Sequence, residues 1–321
     1  MAKPADSIHR LVELAAKPKA NLLPELLKAL GDKSSLVVAK AAALAAAKNL
    51  HEATAALMNA FERFMKNPEK TDKGCTAKLA IMDALMQLDC EDPRVFLEGV
   101  HHVQREAAWG EPIDTAANLR GNCAMALARF GHPDTLLELT TLLADREIEA
   151  RRAAVQALAY LARPECELLL RLKALLGDDD AAVTSDCLSA LMQFEPERSL
   201  DFVATFLDAR RIEVAEGAAI ALGESRQPAA LDVLRKDWER NVMQERRKML
   251  ALPIALTRLD AAFDFLLEII ETGPIDLAGE GLRALQLFKG DEARRQRIRE
   301  MIDKRQERQL ARLYRECFEA T

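Results

Sequence analysis

Residues 145–158 read DREIEARRAAVQAL, and the rest of the chain copies this unit. Asp145 closes a short turn, a helix starts, and the pair Ala157-Leu158 places its Leu thirteen residues after the Asp. Counterparts stand at Ala43-Leu44, Ala84-Leu85, Ala126-Leu127, Ala190-Leu191, Ala221-Leu222, Ala255-Leu256 and Ala284-Leu285. The intervals of 41, 42, 31, 33, 31, 34 and 29 residues are those of stacked two-helix hairpins. The expected fold is therefore all-α: a right-handed α-α superhelical solenoid of about eight hairpins, residues 1–290, with C-terminal capping helices over residues 291–321.

Composition agrees with an array. A chain of 321 residues exceeds the size at which one compact core keeps growing. Half of it is hydrophobic, and its 13 Gly and 12 Pro do not gather into a linker. A net charge of -6 offers no electrostatic footprint for a polyanion, so nucleic acid is not an expected partner. The six cysteines, at 75, 90, 123, 166, 187 and 317, form no CxxC and no metal-ligand cluster. Cys123 and Cys187 share the position four before the anchor Leu, where a small buried thiol fits. This usage points to a reducing compartment. The opening MAKPADSIHRLVEL lacks an apolar run of signal-peptide length, and nowhere do eighteen apolar residues run uninterrupted. A soluble cytoplasmic protein without membrane contact is expected.

Along the chain, hairpin one pairs residues 22–30 with the alanine-rich 35–50, and residues 5–17 are expected to help cover the array's end. Hairpins two (54–88) and three (93–130) carry insertions, KNPEKTDKG at 66–74 and QREAAWGEPID at 104–114, which should project from one rim. Hairpins four to six, residues 133–223, are the most regular. Pro133, Pro164 and Pro196 open their first helices, and Pro93 and Pro228 hold the same place in their own hairpins. Asp72, Asp114, Asp145 and Asp178 each lie thirteen residues before an anchor Leu, where a carboxylate can accept from the free N–H groups of the next helix. Asn241 and Thr272 occupy the corresponding turns of hairpins seven and eight, and Pro253 should kink its helix. Past Gly290 the apolar residues Ile298, Met301, Ile302, Leu310, Leu313, Tyr314, Cys317 and Phe318 keep helical spacing, read as capping helices, with a partner-binding tail as the alternative.

With these residues in view, the repeats resemble HEAT repeats of the short bacterial type also found in phycobilin lyases. A turn Asp followed six residues later by Arg, the family pattern, is present as Asp114 with Arg120 and Asp145 with Arg151. It lapses where Val38 follows Asp32 and Val214 follows Asp208, so the stacked ladder is incomplete. The resemblance covers about residues 20–290; it implies the fold and is nearly silent on function.

Catalytic readings find little support. Glu98, His102 and Glu106 fall at i, i+4 and i+8, conceivable metal ligands but read as a solvated helix face. Deoxyhypusine hydroxylase, built of HEAT-like repeats, relies on several His-Glu dipeptides; this chain has His51-Glu52 alone. No residue set suited to a tetrapyrrole, no Gly-rich phosphate loop and no nucleophile motif is found. The large polar aromatics that a HEAT-like DNA glycosylase would need, Trp109, Trp238, Tyr160 and Tyr314, are scattered. No catalytic residue, cofactor or metal is expected.

The remaining reading is a noncatalytic protein-interaction scaffold that holds a protein partner in its concave groove. Its alternatives are a bilin lyase-like or other small-ligand-binding enzyme and a nucleic-acid-binding HEAT-like protein. In HEAT-like arrays the second helices line the concave side, and the positions six before, two before and two after the anchor should face outward. These give Asp83 and Gln87, then Met125 and Arg129, then Arg152, Gln156 and Tyr160, then Ser185, Ser189 and Gln193, then Glu216, Ile220 and Glu224, then Leu250, Ile254 and Arg258. Arg129, Arg152, Gln156, Tyr160, Ser189 and Gln193 are the expected contacts, since Arg and Tyr are favoured in interface hot spots. Trp109, in the 104–114 insertion with Gly110 and Pro112, is read as a plug beneath its own loop, with an outward anchor for a partner as the alternative.

Overall fold

The computed structural model describes residues 4–14 and 19–319. Two compact units divide the chain, residues 1–166 and 167–321, and each is a stack of helical hairpins. In the first unit α1 (Pro4–Leu14) precedes the pairs α2 (Lys19–Leu30) with α3 (Ser35–Ala47), α4 (Thr54–Met65) with α6 (Thr76–Gln87), α7 (Pro93–Val100) with α8 (Ala117–Phe130), and α9 (Thr135–Leu142) with α10 (Ile148–Leu161). The four-residue α5 (Pro68–Thr71) sits inside the second pair. The second unit begins within α11 (Pro164–Leu176), which is followed by α12 (Ala181–Phe194). It continues through α13 (Pro196–Ala204) with α14 (Ile212–Glu224), α15 (Pro228–Arg240) with α16 (Gln244–Leu256), α17 (Asp260–Thr272) with α18 (Ile275–Ala284), and α19 (Glu292–Arg305) with α20 (Arg308–Tyr314).

Two layers result. Second helices stack on second helices, α3 on α6, α6 on α8 and α8 on α10 in the first unit, and α12 on α14, α14 on α16 and α16 on α18 in the second. First helices form the other layer, as α2 with α4 and α13 with α15. Small residues set the second-helix spacing: a Cβ at Gly121 would meet that of Ala153, and one at Gly217 would meet the Ser185 side chain. Cys123 and Cys187 are fully buried, as expected, and all six cysteines are free thiols. Residues 15–17 of the expected terminal cover lie outside the described residues, while α1 packs on α2 and α3 with Leu11 buried. Residues 292–314 continue the stack as a further hairpin, with Ile298, Ile302, Leu310 and Tyr314 buried, and the turn after it buries Cys317 and Phe318.

Pro93, Pro164, Pro196 and Pro228 each open a helix. Pro133 does not, because α9 starts at Thr135, whose hydroxyl donates to the carbonyls of His132 (2.7 Å) and Leu127 (3.0 Å). The turn carboxylates act as expected. Asp72 accepts from the N–H of Ala77 at 2.8 Å, Asp114 from Ala116 at 3.0 Å, Asp145 from Glu147 at 2.8 Å and Asp178 from Asp180 at 2.9 Å.

Two of the eight anchors shift. In α3, Ala43 is exposed while Leu44 and Ala45 are buried; in α16, Leu250, Ala251, Pro253, Ile254 and Ala255 are buried while Leu256 is partly exposed. The true pairs are Leu44-Ala45 and Pro253-Ile254, and the intervals become 40, 42, 31, 33, 31, 32 and 31 residues. Leu250 and Ile254 therefore leave the outward-facing row. Pro253 fills the slot that Ala holds elsewhere, packed against Gly223, and α16 continues through it to Leu256. Two independent features support this register. The residue four past the anchor takes the left-handed backbone at Asn49, Asp89, Gly131, Ala162, Arg226 and Arg258. The turn residue thirteen before the anchor is Asp32, Asp72, Asp114, Asp145, Asp178, Asn241 or Thr272 in seven of the eight hairpins.

The repeats are HEAT-like in their turns as well. Arg120 donates twice to Asp145 at 2.8 Å and once to Asp114 at 2.7 Å, tying hairpin three to hairpin four. Arg151 donates to the carbonyls of Asp145 (2.9 Å) and Arg146 (2.8 Å). Hairpin two supplies a rung that the Arg pattern misses: Lys78, six residues after Asp72, pairs with it at 3.0 Å, and both side chains are wholly buried. Where Val38 and Val214 leave a gap, the next hairpin's first helix fills it. Arg63 of α4 donates to the carbonyls of Leu30 (2.7 Å) and Asp32 (3.1 Å), and Arg240 of α15 pairs with Asp208 at 2.7 Å.

Two outcomes test this account. Ile254→Ala lowers the free energy of unfolding in denaturant by ~2–5 kcal/mol, the cost of a core cavity, whereas Leu256→Ala costs less than ~1.5 kcal/mol. Lys78→Met, which strands a buried carboxylate, costs ~3–5 kcal/mol in the same measurement, and Asp72→Asn in the same chain recovers part of the loss.

Candidate interaction surface

The two insertions of the first unit meet on one rim, as their places in the stack require. Residues 66–74 form α5 and a turn that leaves through the left-handed backbones of Gly74 and Cys75. Residues 104–114 form a departure from an all-helical chain, a ribbon of two antiparallel strands, β1 (Arg105–Glu106) and β2 (Ile113–Asp114). Gly110, at φ 110°, supplies the reversal that other residues resist. The buried Gln104 side chain donates to the carbonyl of Asp72 at 2.7 Å and to Glu106 at 2.6 Å. Glu106 also accepts from the Gly74 N–H at 2.6 Å and the Thr115 hydroxyl at 2.9 Å. The ribbon is thus anchored to the neighbouring hairpin through backbone as well as side chains.

Electrostatics reinforces the anchor. Burial pushes the Glu106 and Asp114 carboxyls up, but the donors around them outweigh it and hold both below the usual range: Gln104, Gly74 and Thr115 for Glu106, and Ala116, Gln104 and Arg120 for Asp114. Arg120, buried between Asp114 and Asp145, is held above its ordinary value because the two carboxylates outweigh its desolvation. Burial holds His102 below its ordinary value, against the opposing bond to Gln104, whose Oε1 lies 3.3 Å from Nε2. Burial pushes the Cys75 thiol up to about 12. These groups are spent on one another, and the cluster braces the ribbon instead of offering a free acid, base or thiolate.

What the ribbon presents is Trp109, fully exposed at 107%. The plug reading is corrected: the indole is fully in solvent and not tucked under its loop, and Val103 ahead of β1 and Ile113 on β2 are exposed as well. Glu98, His102 and Glu106 also do not share a helix face, because α7 ends at Val100 and Glu106 belongs to β1. Among the described residues no group of three or more His, Cys, Asp or Glu is placed to hold a metal ion.

On the second-helix layer of this unit, Arg129, Arg152, Gln156 and Tyr160 are all exposed. Arg129 on α8 and Tyr160 on α10 occupy the same position, two past their anchors, so they lie in one row on stacked helices. Arg152, Gln156 and Tyr160 follow at intervals of four along α10 and share its face. Trp109 is not part of this row. Its ribbon joins the N-terminal end of α8, and Arg129 lies at the other end, ~20 Å along the helix. Between them, Asn122 donates to Asp83 at 2.5 Å, and burial raises the Asp83 carboxyl despite that bond. Ser189, half-buried, and Gln193, exposed, stand on α12 in the second unit. The sequence reading did not find Gln104 or Lys78, and it placed Glu106 on a helix face with Glu98 and His102; Lys78 stands six residues after its turn Asp, where Arg120 and Arg151 stand in their own hairpins, and was legible as a cationic replacement.

Among the described residues no helix is long and apolar enough to cross a membrane. No family model matches the chain. No curated protein matches it. Among solved structures, it is similar to the complex of CpcE and CpcF of phycocyanin lyase from Nostoc sp. PCC7120, at 17% identity and a TM-score of 0.38 over 74% of this chain and 91% of that one. It is also similar to an engineered protein, at 18% identity and a TM-score of 0.40 over 100% of this chain and 97% of that one.

Proposed function

We propose that the chain is a noncatalytic protein-interaction scaffold whose first unit grips a protein partner through the Trp109 ribbon, with Arg129, Arg152, Gln156 and Tyr160 as a second contact. The observation that carries the reading is a fully exposed indole held on a ribbon whose base is fastened by the buried bond from Gln104 to the Asp72 carbonyl and by the bond from the Gly74 N–H to Glu106. Leaving that much apolar surface in water is unfavourable unless something covers it, and fixing it beforehand removes ordering cost from the binding step. The row of Arg and Tyr has the composition of a hot spot, and its residues are exposed. In the same reading α1 and the α19–α20 hairpin shield the ends of their units, and six free, buried thiols suit the cytoplasm.

The test is quantitative. With a partner recovered from native cells and purified, Trp109→Ala weakens binding by ~30-fold, the loss of one ~2 kcal/mol anchor, without changing helical content. Arg129→Ala with Tyr160→Ala weakens it further. Equal affinity for all variants by titration calorimetry removes the assignment.

A further inference from the structure

Within the second unit, a cleft of about 460 Å³ opens between hairpins seven and eight, formed by α15, the start of α16, α17 and the start of α18. Its floor is apolar: Trp238, Ile269 and Leu277 are buried, and Phe265 stands edge-on to Trp238 with ring centroids 5.8 Å apart. Four charged side chains line it, the half-buried Arg235 and Arg247 and the exposed Glu239 and Glu268. An apolar floor with a few convergent polar groups, in a space of this size, is the build of a small-molecule site.

Neither cation is neutralised by a carboxylate. The Arg235 guanidinium lies 4.9 Å from the centre of the Phe265 ring, and among the described residues it makes no ion pair, although Glu239 stands one helical turn away on α15. Arg247 gives its Nε to the Trp238 carbonyl at 3.0 Å and lies 6.0 Å from the indole centre, which leaves its terminal amino groups available. Glu239 and Glu268 form no ion pair among the described residues either. The neighbouring charges are engaged elsewhere, Arg240 with Asp208 and Asp237, Lys248 with Glu245 and Glu271 with Lys304. Ring faces and a carbonyl thus fix the two guanidiniums out of reach of protein carboxylates, and such preorganisation lowers the cost of receiving a ligand. The 310 Å³ cleft along α16, α18 and α20 is built the other way: Lys248, Arg283 and Arg312 each pair with a glutamate three or four residues away.

Two available cations and two available anions over an apolar floor suit a ligand that carries both signs. We propose that the cleft binds a small apolar zwitterion, an α-amino acid with a large hydrophobic side chain. Its carboxylate is received by the guanidiniums, its ammonium by Glu239 and Glu268 at the mouth, and its side chain lies over Trp238, Phe265 and Ile269. The site is built wholly from the second unit, so it does not depend on the Trp109 contact.

Titration calorimetry of the full chain with L-phenylalanine reads this directly. The expected dissociation constant is roughly 0.1–1 mM, in keeping with a ligand of so few atoms. N-acetyl-L-phenylalanine lacks the ammonium, L-phenylalaninamide the carboxylate and L-alanine the apolar body, and each binds at least ~10-fold more weakly. Arg247→Gln and Glu268→Gln each weaken phenylalanine by ~10-fold with an unchanged circular-dichroism melt, and Arg247→Lys, which keeps the charge, loses less. Trp109→Ala leaves these values unchanged. No saturable heat with phenylalanine, leucine or tryptophan at about 10 mM overturns the proposal. So does an N-acetyl compound or an amide that binds as tightly as the parent, which makes the cleft a site for one sign of charge only. Binding left intact by Arg235→Gln with Arg247→Gln overturns it as well.

Discussion

A polar side chain thirteen residues ahead of a buried anchor governs seven of the eight repeats. Asp72, Asp114, Asp145 and Asp178 accept from N–H groups at the start of the second helix, which fixes where that helix begins and so which side chains its buried face receives. The helix then ends four residues past the anchor, most often through a left-handed residue that turns the chain toward the next hairpin. Both ends are therefore set by backbone hydrogen bonding, and the space between them admits small residues and one anchor. Stacking follows because no single hairpin can bury such a face alone.

This constraint explains which parts of the fold were legible in the sequence. The repeat, its approximate count and most proline starts could be read because they depend on local spacing. The anchors in KAAALAAAKNL and ALPIAL misled the reading for a physical reason. Alanine-rich and proline-containing stretches offer several Ala-Leu or near-Ala-Leu pairs, and identity alone does not choose among them. Counting thirteen residues from Asp32 and Asn241 does choose, giving Ala45 and Ile254, because the turn and not the leucine determines helix phase.

The surface was less legible. Exposure of Arg129, Arg152, Gln156 and Tyr160 followed from helix periodicity, which is local. The fate of Trp109 did not, because it depends on Gln104 donating to a carbonyl and Glu106 accepting from an N–H, each 32 residues earlier. Glu106 looked like the third member of an i, i+4, i+8 line, yet α7 stops at Val100 and the chain changes from helix to strand before reaching it. Long-range polar bracing of this kind leaves little periodic trace. The Lys78 rung shows the converse: an ion pair wholly removed from water is tolerated because Asp72 also accepts two backbone N–H groups, so little of its charge goes uncompensated.

The placement of the two indoles gives the molecule a built-in optical label for each half. Trp109 stands in water within residues 1–166, and Trp238 lies 6% exposed within residues 167–321, edge-on to Phe265 with ring centroids 5.8 Å apart. Red-shifted, quencher-accessible emission belongs to the ribbon tip and responds to whatever lands on it. Blue-shifted, protected emission belongs to the second half and changes when that half melts, so binding and unfolding can be followed at separate wavelengths in one unmodified sample.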